Sequence, residues 1–158
     1  MLTTLCYIEQ DGKFLMLLRN REKIDINRNK WIGVGGHFLP GETPEECLVR
    51  EVREETGLTL LDWQFRGIVT FQQNDDEAEY MHLFTADRFT GMLSECDEGD
   101  LSWIPKDQIF SLNLWEGDRV FLEPLLRGIP FFTASLRYEG EHLVQSEIKV
   151  YVDRPESL

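Results

Sequence analysis

Residues 36–58 read GHFLPGETPEECLVREVREETGL. Within this stretch Thr43 is a good helix N-cap, Pro44 suits the first helical position, and Glu45 and Glu46 favour the positive end of a helix. Gly57 stands where a helix commonly ends. The stretch therefore predicts a helix over 43–56 behind a glycine-rich loop. At about 100° per residue, Glu51, Glu54 and Glu55 share one arc, while Leu48, Val49 and Val52 fall on the adjoining arc and can pack on a sheet. Three carboxylates on one arc repel one another unless positive charge lies among them. Arg50 precedes Glu54 by one turn and can pair with it; Arg53 turns to solvent. Gly33, Gly35 and Gly36 allow tight turns and close approach of a ligand to the backbone.

Taken alone, EVREE also fits a charged surface helix and Gly35-Gly36 an ordinary turn. Their conjunction sets them apart. The order is glycine, five residues, glutamate, seven residues, arginine-glutamate-apolar, one residue, two glutamates, one residue, glycine-apolar. This resembles the Nudix box, with Gly36, Glu42, Arg50, Glu51, Val52, Glu54, Glu55, Gly57 and Leu58 in its fixed places. The resemblance implies an α/β (α+β) fold, a Nudix-type α/β/α sandwich with a mixed β-sheet between helices, in which the box forms a loop–helix–loop. It also implies hydrolysis of a nucleoside diphosphate linked to another moiety, with Mg²⁺ or Mn²⁺ as cofactor. Carried over by position, Glu51, Glu54 and Glu55 are metal ligands and the Gly36 carbonyl is a further one. Glu42 orients the loop, and Arg50 orients the glutamates. Hard divalent cations take carboxylate oxygens and bridge to phosphates. Such ions neutralise phosphate charge and position a water, whose proton a carboxylate accepts. Glu54 is the first choice for that base. Glu98, in the loop ECDEGD (95–100), is the second, as base or extra ligand; it also reads as one solvated acid among several.

The likeness runs beyond the box. NKWIGVGG (29–36), ECDEGDLSWIPKDQI (95–109), LWEGD (114–118) and PFFTASLRYEGEHL (130–143) resemble the MutT-homologue branch that removes oxidised purine nucleoside triphosphates. That resemblance implies a purine pocket using Trp115 and Asp118, since an indole can stack on a base and a carboxylate can hydrogen-bond to it. Trp115 equally suits a helix start packed on the core. Arg19, ending a strand, can approach phosphate or be an exposed arginine, and the N–H of Gly35 can meet a phosphate. One departure stands out: the branch often carries Asn after the tryptophan, where its amide reads the base, and Ile32 stands here instead. The acids of WEGD can also align one residue out of step. Another diphosphate, such as a nucleotide sugar or ADP-ribose, is the alternative substrate, and a non-catalytic nucleotide sensor is the alternative class.

The remainder is consistent with one domain over 1–158. With 29 acidic against 16 basic side chains the formal net charge is -13, which repels nucleic-acid polymers but not a single nucleotide bridged by cations. Cys6, Cys47 and Cys96 form no CxxC pair and read as reduced thiols. No signal peptide and no membrane span are expected, which points to a cytoplasmic protein, monomer or homodimer. His37, His82 and His142 are dispersed and lack ligand spacing, although His37 follows Gly36 and can touch phosphate. Asp11-Gly12 predicts a hairpin, residues 20–30 an exposed loop, 59–74 and 79–89 strands, 101–104 a short strand, 116–127 a second helix, and Glu139-Gly140 a final hairpin.

Overall fold

The first hairpin forms as predicted. Strands β1 (Leu2–Gln10) and β2 (Lys13–Arg19) pair antiparallel across Asp11 (φ 52°) and Gly12 (φ 74°), the positive angles of a tight turn. A computed structural model describes residues 1–21 and 25–152. After the hairpin come β3 (Trp31–Ile32), β4 (Val34–His37), α1 (Pro44–Thr56), β5 (Thr59–Leu60), β6 (Gln64–Gln73), β7 (Glu79–Ala86), β8 (Phe89–Thr90) and β9 (Gly99–Pro105). A 3₁₀ helix (Lys106–Ser111), α2 (Glu116–Leu126), β10 (Phe131–Glu139) and β11 (His142–Tyr151) complete the described chain. The predicted strand 59–74 is thus interrupted: β5 leaves to pair with β8, and β6 starts at Gln64.

Among the described residues the main sheet is mixed, in the order β11-β10-β6-β7-β1-β2-β3, with β4 on β1 and β9 on β2. Strand β1 is the pivot. It runs parallel to β7, pairs with β4 through Thr3–Cys6, and with β2 only at Glu9 and Gln10. Because successive side chains of a strand point to opposite faces, β1 serves two cores at once. Leu5 and Tyr7 join Phe14, Met16, Phe121, Leu122, Phe132, Leu136 and Tyr138 on the α2 side. Cys6 and Ile8 join Leu15, Val34, Leu48, Val52 and Phe84 on the α1 side. Helices therefore cover the sheet from both faces, the mixed-sheet arrangement that the resemblance implied.

The helix boundaries follow the sequence. Thr43 caps α1 through a reciprocal pair: the Glu46 N–H donates to Thr43 Oγ1 at 3.1 Å and the Thr43 N–H to Glu46 Oε1 at 3.0 Å. Gly57 closes the helix at φ 81° and donates its N–H to the Arg53 carbonyl. Leu48 and Val52 are buried as predicted, with Cys47 beside them; Val49 is half-buried and Arg53 exposed. The second helix runs on through Pro124 to Leu126, and the chain turns at Gly128 (φ 79°).

The loop after β2 is exposed as predicted at Arg21, Ile26, Arg28 and Asn29, but not throughout. Residues 22–24 lie outside the described part, but Asp25 is tucked in, its side chain only 8% exposed, and Asn27 and Lys30 are half-buried. The loop is polar because it satisfies polar partners within the fold, a role that composition does not distinguish from solvation.

Two substitutions separate the forces holding α1. Leu48→Ala removes a fully buried side chain and is expected to cost about 2–5 kcal/mol in chemical denaturation. Thr43→Ala removes only the cap and is expected to cost about 1 kcal/mol.

Candidate active site

A cavity of about 700 Å³ collects most of the singled-out residues: Arg19, Ile32, Gly35, Gly36, Glu51, Glu55, Glu98, Trp115 and Asp118 all line it. Arg50 and Glu54 do not. Its lining includes a carboxylate end, with Glu51, Glu55 and Glu98 beside Gly35 and Gly36, and an apolar end, where Ile32, Phe71 and Met81 pack against the core that holds Trp115; Asp118, Gln73 and Glu79 line it as well.

At the carboxylate end the backbone is pressed against side chains. A Cβ on Gly36 would lie 2.5 Å from the Glu51 carboxyl, and one on Gly35 would lie 1.9 Å from the Thr4 carbonyl oxygen. Glycine at 36 is what lets Glu51 seat against the loop, and glycine at 35 is what lets β4 pair closely with β1. The buried Glu55 accepts the Gly35 N–H at 3.3 Å and shares a hydrogen bond with Glu98. Burial pushes the Glu55 carboxyl well above the usual carboxylate range, and Glu98 and Glu51 push it further; the Gly35 N–H opposes them.

Arg50 organises the outer side of this group. Its Nε and one terminal nitrogen donate to both oxygens of Glu42 at 2.7 and 2.8 Å. Its other terminal nitrogen donates to Glu51 at 2.7 Å and Glu54 at 3.2 Å, while the terminal nitrogen on Glu42 also donates to the His37 carbonyl at 2.9 Å. Glu42 also accepts the Leu39 N–H at 2.9 Å, and Arg50, followed by that amide, holds the Glu42 carboxyl down at about 2. The pairing with Glu54 is thus the longest of the three carboxylate contacts. Glu54 is 60% exposed and stands outside the cavity.

With Glu54 turned to Arg50, no group of three or more His, Cys, Asp or Glu side chains among the described residues is arranged to hold a metal ion as it stands. The donor set nevertheless fits a hard divalent cation. Glu51, Glu55 and Glu98 line one cavity with Gly36, and burial, followed by the neighbouring Glu98 and Glu51, pushes the Glu55 carboxyl up, a crowding that a hard cation would relieve.

Arg19, expected near phosphate, lines the cavity but is engaged: it donates to Asp25 at 2.9 Å and Glu98 at 3.2 Å. Trp115 is only 6% exposed. Tyr138 meets its ring edge-on at 5.4 Å and Lys30 Nζ lies 5.3 Å from its centroid. The packed reading of Trp115 therefore holds, and where the residue meets the cavity it forms a wall rather than an open stacking platform. Of the acids of WEGD, Asp118 faces the cavity and Glu116 does not line it. Gly117 faces inward, its N–H donating to the Tyr138 hydroxyl at 2.6 Å, where a Cβ could not fit. Asp118 alone lines the cavity. Desolvation raises its carboxyl to about 7, with Glu79 raising and Lys30 lowering it.

The sequence reading passed over Asn27, Phe71 and Met81, which also line the cavity. Strand alternation in β6 and β7 carried a signal for Phe71 and Met81. Nothing periodic marked Asn27, which accepts the Trp115 indole N–H at 2.8 Å. His37 lines the cavity, 2.9 Å from the Met1 sulfur; His82 packs between Phe38 and Phe65, and His142 is exposed.

Residues 1–125 match the NUDIX domain family model. The chain belongs to the Nudix family. As a Nudix hydrolase it is 32% identical over 143 residues to the uncharacterized Nudix hydrolase YvcI of Bacillus subtilis, covering 87% of each chain. It is 30% identical to an oxidized purine nucleoside triphosphate hydrolase of Danio rerio, covering 90% of each. A MutT protein of Bacillus halodurans superposes with a TM-score of 0.84 at 25% identity, covering 93% of this chain and 96% of that one. No described helix is long and apolar enough to cross a membrane.

Two measurements check the electrostatics. Arg50→Lys keeps the charge but cannot reach Glu42, Glu51 and Glu54 together, so kcat/KM is expected to fall on the order of 10²-fold as the carboxylates lose alignment. Asp118 is raised in the folded state, so the stability it confers is fully present below its unfolded value and is lost as pH rises through about 7. Asp118→Asn is therefore expected to gain stability relative to the parent between pH 5 and pH 8 in thermal melts.

Proposed function

We propose that this Nudix hydrolase cleaves a nucleoside triphosphate to nucleoside monophosphate and diphosphate, with an oxidised purine nucleotide of the 8-oxo-dGTP type as its substrate. The observation that carries the reading is the continuity of one cavity from the carboxylates Glu51, Glu55 and Glu98 to the wall formed by Trp115, Ile32, Phe71 and Asp118. A triphosphate and a purine need such different surroundings within one ligand's length. The named substrate of the zebrafish relative supports the same choice.

In this reading Glu51 and Glu55, with the Gly36 carbonyl, would hold Mg²⁺ or Mn²⁺. Such an ion, when bound, neutralises phosphate charge and favours attack at phosphorus. Arg50 keeps Glu51 and Glu42 in place from outside, and Glu54 is held in the same cluster. Glu98 is the better-placed base, because it stands on the cavity wall beside Glu55 whereas Glu54 faces solvent. Arg19 is placed to exchange its contact with Glu98 for a phosphate oxygen. Gly35, whose N–H donates to Glu55, can approach a phosphate. The apolar wall at Ile32 packs on a base. Nucleotide-pool sanitising in the cytoplasm, by a monomer or homodimer, is the role consistent with this chemistry. A different diphosphate substrate is favoured by one observation alone, the apolar Ile32.

Incubation with a panel of ordinary and oxidised nucleoside triphosphates and Mg²⁺ tests the proposal. Diphosphate plus monophosphate are the expected products, with chelation abolishing turnover. Glu98→Gln is expected to lower kcat by about 10²–10⁴-fold, and Glu54→Gln by less. Two monophosphate products from a nucleotide sugar or ADP-ribose, with no triphosphate cleaved, would overturn it. Equal cleavage of dGTP and its 8-oxo form would remove the sanitising role.

A further inference from the structure

Strand β11 ends the main sheet: β10 pairs with one side of it, and its other edge has no strand partner among the described residues. It holds one unbroken register with β10 from Gln145, opposite Arg137, to Tyr151, opposite Phe131; the bulge at Val144 lies before that stretch. A free edge offers a row of unpaired N–H and C=O groups, which monomeric proteins commonly blunt with proline, bulges, short strands or lysine. Residues 145–152 read QSEIKVYV, with no proline or glycine, and Lys149 is the one blunting feature. Glu147 stands two residues before it. Both are exposed, and neither has an ion-pair partner among the described residues. Ile148 packs on the α2-side core, so Ser146 and Val150 share its face, and Gln145, Glu147, Lys149 and Tyr151 share the other. Val150 is 43% and Tyr151 48% exposed. A second copy of β11, laid antiparallel about a twofold axis perpendicular to the sheet, keeps each face on its own side. Centred on Ile148, it sets Glu147 against the partner's Lys149 and Lys149 against the partner's Glu147. Ile148 then meets its own copy, and Val150 meets the partner's Ser146. Centring one residue earlier sets Glu147 against its own copy, and one residue later sets Lys149 against its own. Opposite charges across a strand pair stabilise it and like charges destabilise it, so the pattern selects one register.

We propose that β11 is a homodimer interface: two copies of the chain pair their β11 strands antiparallel, centred on Ile148, and join their sheets into one, with Glu147 and Lys149 fixing the register. Backbone hydrogen bonds and the apolar contacts of Ile148 supply the affinity. Exposed ion pairs are worth little by themselves and act here by penalising the neighbouring registers. No residue of β11 lines the cavity, so the assignment does not depend on the substrate.

Sedimentation velocity of the full chain over a dilution series at low ionic strength tests this. The parent is expected to show a concentration-dependent monomer–dimer equilibrium. Because the twofold axis repeats every contact, Glu147→Lys turns two attractive pairs into two repulsive ones, and Lys149→Glu does the same. Each is expected to raise the dimer Kd about tenfold or more. The variant carrying both substitutions exchanges the charges and is expected to dimerise as the parent does. An equimolar mixture of the two single variants is expected to form a heterodimer of similar strength. Both positions are exposed, so thermal melts of the variants are expected to match the parent at concentrations where all are monomeric. A parent that stays monomeric throughout overturns the proposal and leaves the edge to another occupant, such as the chain beyond Val152 or a different protein. A dimer that ignores both single substitutions overturns it as well, because the copies then meet elsewhere. Weakening by the single substitutions without recovery in the double variant or the mixture overturns the register.

Discussion

The structure turns on one electrostatic difficulty: Glu42, Glu51, Glu54, Glu55 and Glu98 gather around a single loop–helix unit. Arg50 resolves the outer half, binding Glu42 through both oxygens and reaching Glu51 and Glu54 with its remaining nitrogen. A planar guanidinium can do this because its donors are fixed in a fork; an ammonium would meet them one at a time. The inner half is left unresolved. Glu55 is buried beside Glu98, and burial first, then Glu98 and Glu51, push it towards its neutral form against the opposing Gly35 N–H. That imbalance is what the proposed cation site rests on, and a cation there would offset part of the net charge of -13 for the proposed anionic substrate.

The same unit depends on β1. Its alternation lets the α1 core and the α2 core share one strand, so the loop bearing Gly35 and Gly36 is fixed relative to α2 as well as α1. Close pairing of β4 on β1 needs glycine at 35, and the seat for Glu51 needs glycine at 36. The two ends of the cavity are therefore rigidly related, although they derive from elements far apart in the chain.

How much of this the sequence disclosed follows from range. The helix 43–56, its cap, its apolar face and its glycine stop were legible because each depends on residues within a few positions of one another. The carboxylate cluster was legible for the same reason, apart from its internal arrangement. Position on the helix arc places Glu54 beside Glu51, but it does not reveal that Glu42 takes the better part of Arg50 and leaves Glu54 in solvent. The break between β5 and β6 was hidden because both halves have strand composition, and only the pairing of β5 with β8 separates them. Trp115 offered two readings; the structure shows the packed one, with the ring closing the core and also bounding the cavity.

Residues 25–30 mark the limit of local reasoning. Their polarity resembles that of a solvated loop, and no period distinguishes them. Yet Asp25 ties Arg19, Asn27 ties Trp115, and Arg19 in turn meets Glu98, so one hydrogen-bonded path runs from the apolar end of the cavity to the carboxylates. Each link joins this loop to a strand end, a helix start or the loop before β9. A motif can encode phosphate chemistry because that chemistry is the same for every substrate and can be built from one contiguous segment. Recognition of the base has to differ between substrates, and in the proposed reading it draws on the loop, β3, β6, β7 and α2, none of which carries the signature.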